Sequence, residues 1–281
     1  MTTLTDTSGP TAQAFFDALR DDVAVMGIVN VTPDSFSGDG IDRDAARTIT
    51  QARAMAAAGA AIIDIGAEST RPGSTPVSSE DELDRLGPVL RAAVSSLDVP
   101  VSIDTQKATV ARAAIASGVD VVNDIWGLQG DPGMAALIAE AGAGAILMHN
   151  RRSADESIDI VADVHRFFER SLTIADRAGI DKSLIALDPG IGFGKTMGQN
   201  LVILNRLEQF LQFGCPLLVG VSRKRFIGAT LGAEVEDRLF GTLAVNLDAY
   251  RKGARIFRVH DVAEHVQAFT MTKAIEAERY D

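Results

Sequence analysis

Polar and ionisable side chains in this sequence gather at the ends of short apolar runs. They are Asn30, Glu68 with Ser69, Thr70 and Arg71, Asp104, Asn123 with Asp124, His149, Asp188, Ser222 with Arg223 and Lys224, and Arg258 with His260. Nearly all of them fall at the C-terminal end of a run, a bias that scattered solvated loops would not produce. Two sets differ in chemistry. Asp104, Asn123 and Asp188 offer carboxylates and an amide, which together suit a planar heterocycle with adjacent N–H donors and carbonyl acceptors. Such a site discriminates because its own buried polar atoms go unpaired when the wrong ligand enters. Any one of the three alone would read as a helix N-cap; three at equivalent positions favour a site. The second set is basic: Lys224, Arg258 and His260, with Arg71 on a following loop. It suits a phosphate or pyrophosphate, Arg as a planar fork and Lys as a point charge. Asn30 beside it can offer an oxygen to Mg²⁺, which binds through few protein ligands plus substrate phosphates. Arg223 and Arg225 read as solvated helix-start residues, with Lys224 between them pointing inward.

Something must bring these ends to one place. Eight apolar runs are present, at residues 23–29, 61–65, 99–103, 120–122, 145–148, 184–187, 216–221 and 255–259. Most are rich in Val, Ile and Leu without polar alternation, as expected for parallel strands covered on both faces. Helical patterns lie between them. In residues 43–58, Ala45, Ile49, Ala52 and Met55 mark one face, and Gly59 can cap the end. Ser79 and Glu82 have capping-box spacing ahead of Leu83, Leu86 and Leu90. Asp131-Pro132 reads as an N-cap followed by Pro at the first helical position, and Gly87-Pro88 predicts a kink or short break. Eightfold alternation of strand and helix is the arithmetic of a (β/α)₈ TIM barrel, whose site lies where all strand C-termini meet. A doubly wound sheet is the alternative. No repeat or Pro/Ser-rich linker divides the chain, so residues 23–281 read as one barrel domain, with residues 1–22 an N-terminal extension packed across the barrel bottom.

Bulk properties narrow the class. The 281 residues are 46% hydrophobic but only 5% aromatic, with 25 glycines, which implies a core of small aliphatic side chains and many tight turns. No apolar run approaches the ~18 residues of a membrane span, and the first residues show no secretory pattern. A net charge of −11 argues against a nucleic-acid surface, so any anion site must rest on a few placed basic residues. The lone Cys215 cannot form an internal disulfide and suits a reducing cytoplasm, as a buried small hydrophobe.

The glycines of Asp188-Pro189-Gly190-Ile191-Gly192-Phe193-Gly194-Lys195 have the wrong spacing for a P-loop. They read as letting backbone approach a flat ligand, with Phe193 as a stacking face. His149 reads as a satisfied strand-end histidine, His165 and His265 as surface or interhelical residues, Trp126 as a loop anchor, and Met148 as a pocket floor.

Seven motifs in order carry a resemblance: G-I-V-N-V-T-P-D-S-F-S (27–37), D-I-G-A-E-S-T-R-P-G (64–73), S-I-D-T (102–105), V-N-D-I (122–125), D-P-G-I-G-F-G-K (188–195), S-R-K (222–224) and R-V-H-D (258–261). From about Val25 to its C-terminus the chain resembles the dihydropteroate synthases. That resemblance implies a (β/α)₈ barrel that joins 6-hydroxymethyl-7,8-dihydropterin pyrophosphate to p-aminobenzoate, releasing pyrophosphate. It implies pterin contacts from Asp104, Asn123, Met148, Asp188, Phe193 and Lys224. Pyrophosphate contacts are implied for Asn30, Arg258 and His260, with Asn30 also meeting Mg²⁺. For p-aminobenzoate the implied contacts are Phe36, Thr70, Arg71, Pro72 and Ser222. The catalytic set is then Asn30, Asp34, Asp188, Lys224, Arg258 and His260, on a cytoplasmic homodimer joined through helices on the barrel side. The loop carrying Ser37-Gly38-Asp39-Gly40 departs from the S-F-S-D-G-G common in the family, which makes Asp34 the better catalytic carboxylate. The segment after His149 is shorter than the family's usual fifth loop.

Three competing readings remain open on sequence: a Schiff-base aldolase barrel with Lys224 as nucleophile, a pterin-binding methyltransferase domain, and a paralogue that binds pterin without turnover.

Overall fold

The computed structural model describes residues 11–20, 22–31, 41–68 and 77–279. Eight parallel strands close into a barrel in sequence order: β1 (Ala24–Asn30), β2 (Ile62–Gly66), β3 (Val101–Asp104), β4 (Val121–Asp124), β5 (Gly144–Met148), β6 (Ile185–Asp188), β7 (Leu217–Val219) and β8 (Ala254–Val259). Every run of the sequence is a strand, and β1 pairs with β8 to close the ring, Ala24 opposite Ile256 and Gly27 opposite Val259. The helices are α1 (Ala12–Ala18), α2 (Ile41–Ala57), α3 (Ser79–Ser96), α4 (Ala108–Ala116), α5 (Met134–Ala141), α6 (Ile160–Ala178), α7 (Met197–Asn205), α8 (Arg225–Leu231), α9 (Leu239–Arg251) and α10 (Val262–Ala277).

Helix α6 shows how these elements are specified. Ile160, Val161, Val164, Phe167, Phe168, Ser171 and Ala175 recur at helical spacing and are the buried face. Asp159 accepts hydrogen bonds from the backbone N–H groups of Val161 and Ala162, and Gly179 ends the helix with φ +86°. Three expectations about helix ends are corrected. Helix α3 runs through Gly87-Pro88 without the short break that is one of the two expectations there, held by Leu86, Val89 and Leu90, buried on both sides of Pro88. Its cap is Ser78 rather than Ser79, accepting from the Asp81 N–H. Asp131 does not cap α5 directly: its carboxylate accepts from Gly133 N and from Ala108 N, so it closes the uncapped start of α4 from a neighbouring loop.

Strand alternation sorts the core into two clusters. Outward residues such as Val25, Ile63, Val122, Leu147, Leu187 and Phe257 pack against the helices. Inward residues Met26, Ile62, Val121, Ile146, Ala186, Leu218 and Ile256 fill the lower barrel together with Phe15, Phe16 and Leu19 of the N-terminal segment. Helix α1 thus plugs the bottom, and a Cβ on Gly144 would lie 2.6 Å from the Phe16 ring. The described residues contain no helix long and apolar enough to cross a membrane.

Candidate active site

Two residues further along most strands, the inward positions change chemistry, although Ile28 above Met26 on β1 stays apolar. Above Ile62 lies Asp64, above Val121 Asn123, above Ile146 Met148, above Ala186 Asp188, above Leu218 Gly220 and above Ile256 Arg258. From β3, Ser102 and Asp104 point the same way, since Val101 and Ile103 pack outward. The mouth of the barrel is therefore a polar ring lying on an apolar plug.

Arg258 organises one half of it. Its Nε donates to Asp64 Oδ2 at 2.6 Å and its Nη2 to Asp104 Oδ2 at 2.8 Å. Asn123 Nδ2 donates to the same Asp64 oxygen at 3.2 Å. Burial works against the Arg258 cation, but Asp64 and Asp104 outweigh it and raise its pKa. Burial pushes Asp104 up to about 7 although Arg258 opposes the shift. Asp64 Oδ1 and Asp104 Oδ1 are buried and have no hydrogen-bond partner among the described residues. Buried carboxylate oxygens are normally paired, so Asp104 carries acceptor capacity that no described residue uses.

Asp188, Lys224 and the β6–α7 turn form the other half. Asp188 Oδ1 accepts from Gly190 N at 2.7 Å, and burial raises the Asp188 pKa against the pull of Lys224 and that N–H. Lys224 Nζ donates to the Ile191 carbonyl and lies 4.7 Å from the centre of the Phe193 ring. Burial lowers its pKa to about 8 despite Asp188. The glycines here do something other than admit a ligand. A Cβ on Gly190 would lie 1.9 Å from His149 O, and one on Gly194 would lie 2.3 Å from Arg151 O, so both let the turn press on the chain's own backbone. Lys195, pushed down to about 7 by burial, holds that turn by donating to Gly190 O, Phe193 O and His149 O at 2.7, 2.9 and 3.3 Å.

The S-R-K and R-V-H-D motifs are one unit in space. Ser222 Oγ lies 2.9 Å from His260 Nδ1, and His260 N donates to Ser222 Oγ. Arg223 is not a solvated helix start. At φ +56° it forms a two-pronged pair with Asp261, while its backbone N–H donates to Thr242 Oγ1 and its carbonyl accepts from Arg238. Arg225, by contrast, is exposed at the start of α8.

Other residues take structural parts. His149 is buried against Phe167, with Nε2 3.3 Å from Asp163 Oδ2, and burial lowers its pKa to about 3. His265 bonds Asn246 between α10 and α9, and His165 packs on Phe210 and Phe213. Trp126 anchors its loop through Gln106 Oε1 at 2.8 Å. Lys107 bridges Glu68 and the fully buried Glu82 at 2.6 and 2.5 Å, and Glu68 also accepts from Val77 N. Asn30 ends β1 as its one exposed residue. No group of three His, Cys, Asp or Glu among the described residues is arranged to hold a metal, so the single amide oxygen of Asn30 fits Mg²⁺ only as an ion that also takes substrate oxygens. Asp34, Phe36, Asp39, Thr70, Arg71 and Pro72 lie outside the described residues.

Asp64, Lys195, Lys107 and the Arg223–Asp261 pair escaped the sequence reading. Asp64 alone gave a signal, a carboxylate inside the run Ala61-Ile62-Ile63-Asp64-Ile65.

A parallel barrel whose mouth sets carboxylates and an amide against Lys and Arg is of the class described as pterin binding enzyme, and that family's sequence model matches residues 26–260. The dihydropteroate synthase of Bacillus subtilis is 44% identical over 256 residues, spanning 91% of this chain and 90% of that protein. The solved structure of the Xanthomonas albilineans dihydropteroate synthase with 4-aminobenzoic acid superposes with a TM-score of 0.87 at 43% identity, covering 92% of this chain and 94% of that one. That of the Thermus thermophilus enzyme in complex with 6HMPPP gives 0.80 at 42% identity, covering 91% and 95%. The chain belongs to the dihydropteroate synthase family of transferases. Membership of that family displaces the reading of an aldolase barrel with Lys224 as nucleophile.

Proposed function

We propose that this protein condenses 6-hydroxymethyl-7,8-dihydropterin pyrophosphate with p-aminobenzoate to give 7,8-dihydropteroate and pyrophosphate. The observation that carries the reading is a barrel mouth that sets Asp104, level with Asn123 on the neighbouring strand, among the charges of Asp188, Lys224 and Arg258. A pterin edge alternates N–H donors with a carbonyl acceptor. Asp104 and Asp188 accept from the donors, Lys224 donates to the carbonyl, and Phe193 and Met148 flank the ring. The ligands named for the solved relatives, 4-aminobenzoic acid and 7,8-dihydropteroate, are of the corresponding chemistry.

In the mechanism, the C–O bond to pyrophosphate breaks first and the leaving group keeps the electron pair. The pterin-methylene cation that results is delocalised into the ring, where Asp188 and Asp104 stabilise it. Arg258 and His260 hold the departing anion. Asn30 would hold Mg²⁺, which would supply further neutralisation of that leaving charge. The aniline nitrogen of p-aminobenzoate, placed near Ser222, then donates its lone pair to form the C–N bond, and its proton passes to the released pyrophosphate or to water. No protein nucleophile takes part. Water competes with so weak a nucleophile, so its exclusion at the mouth matters. Phe36, Thr70, Arg71 and Pro72 as p-aminobenzoate contacts, and Asp34 as the loop carboxylate, complete this proposal.

A homodimer fits an apolar surface on the α7–α9 side: Met197, Leu201 and Val202 on α7, Leu231 on α8, and Phe240, 81% exposed on α9. With its single thiol buried, a cytoplasmic site is consistent with the small soluble substrates of the reaction.

The dissociative route is tested by mixing the pterin pyrophosphate and Mg²⁺ with the enzyme and no p-aminobenzoate. Slow release of pyrophosphate is expected, and Arg258→Ala should abolish it. Strict dependence of release on p-aminobenzoate would replace the route with direct displacement.

A further inference from the structure

We propose that Asp64 is a positioning residue of this site, one that sets both the amide orientation of Asn123 and the strength of Arg258 as an anion holder. The inference rests on the reading of the mouth as a site for a pterin and a pyrophosphate. Asp64 is the third residue of β2, fully buried, one layer above the apolar plug. A single oxygen, Oδ2, accepts from Arg258 Nε at 2.6 Å and from Asn123 Nδ2 at 3.2 Å. An ionised carboxylate only accepts, so the Asn123 amide is forced to turn its NH₂ toward β2. Its carbonyl oxygen is the end left for a ligand. Free of Asp64, that amide could present either end, and donor–acceptor matching to a heterocycle would be lost for about half of the population.

The second effect is on charge. Arg258 bridges two carboxylates, Asp64 and Asp104. Two anions on one guanidinium moderate its attraction for a third. An arginine with only Asp104 would hold pyrophosphate more strongly and release it more slowly. Asp64 therefore favours pterin recognition and opposes product retention, two effects of opposite sign that a merely structural residue would not produce.

Two substitutions separate them. Asp64→Asn keeps an oxygen that both donors can reach but removes the charge. Asp64→Ala removes the acceptor as well. Binding of pyrophosphate with excess Mg²⁺, and of the unreactive probe 6-hydroxymethylpterin, is measured by titration calorimetry on wild type and both variants. Pyrophosphate should bind roughly three- to tenfold more tightly to Asp64→Asn, the order expected from removing one charge about two bond lengths behind the guanidinium in a partly screened site. The pterin probe should bind Asp64→Asn within about threefold of wild type and Asp64→Ala at least tenfold more weakly. Unchanged or weaker pyrophosphate binding in Asp64→Asn, or wild-type pterin binding in Asp64→Ala, would overturn the proposal. So would failure of both variants to fold, which would assign Asp64 to the barrel's stability. If wild type bound neither probe, the reading of the site itself would fail instead.

Discussion

Gly190→Ala isolates the contact that places Asp188. Gly190 has φ +65° and would set a Cβ 1.9 Å from the His149 carbonyl oxygen. Nonbonded heavy atoms settle at about 3.5 Å, so the β6–α7 turn would have to move by roughly 1.5 Å. That displacement breaks the 2.7 Å bonds from Gly190 N to Asp188 and from Lys195 to Gly190 O. The left-handed backbone costs an alanine about 1 kcal/mol, and each lost bond to a charged group about 1.5 kcal/mol or more. The sum is roughly 4 kcal/mol. Gly142 provides the control, with φ +62° and nothing within 4 Å of its Cβ, so Gly142→Ala should cost only the backbone term of about 1 kcal/mol. Urea unfolding of the two variants measures both quantities, and titration with 6-hydroxymethylpterin should show at least a tenfold loss in Gly190→Ala alone. Equal destabilisation of the two variants, with pterin affinity intact in both, would refute the argument that this turn is pressed against β5 to aim Asp188.

Other outcomes follow from the same geometry. Asp104, raised to about 7 by burial, must be ionised to accept a pterin N–H, and Lys224, lowered to about 8, must be protonated to donate. The pH profile of kcat/KM for the pterin substrate should therefore fall below about pH 7 and above about pH 8, and a flat profile from pH 6 to 9 would contradict both roles. Lys107→Met strands the fully buried Glu82 and should cost about 3 kcal/mol in urea unfolding; Glu82→Gln in the same chain should recover at least half of it. Phe16→Ala should lower stability by about 3 kcal/mol while leaving both KM values unchanged, because Phe16 lies in the plug beneath the site; a changed KM would mean that the plug shapes the mouth.

The barrel was legible because parallel strands buried on both faces leave continuous apolar runs. Each run ends where an inward position leaves the plug and enters the mouth, so the polar residues at run ends were already those of the site. Asp64 was not legible because it comes one step before the end of its run, where a carboxylate looks like an accident rather than a partner for Arg258 and Asn123. Arg223 looked like a helix start because its partner, Asp261, is 38 residues away. The Gly87-Pro88 break failed for a different reason: local propensity lost to the packing of Leu86, Val89 and Leu90 on the barrel. The Asp131 cap was read with the right chemistry and the wrong helix, since sequence gives the acceptor but not which N–H groups come to it. The glycines of the β6–α7 turn were likewise read correctly as close-approach positions, but what approaches Gly190 is His149.

The central claim is tested most directly by turnover. Purified protein mixed with 6-hydroxymethyl-7,8-dihydropterin pyrophosphate, p-aminobenzoate and Mg²⁺ should form 7,8-dihydropteroate and pyrophosphate in equal amounts, and Lys224→Ala and Arg258→Ala, checked for folding, should each lose most of that rate. No dihydropteroate from the wild-type protein, or near-wild-type rates in both variants, would contradict the assignment of this mouth as the reacting site.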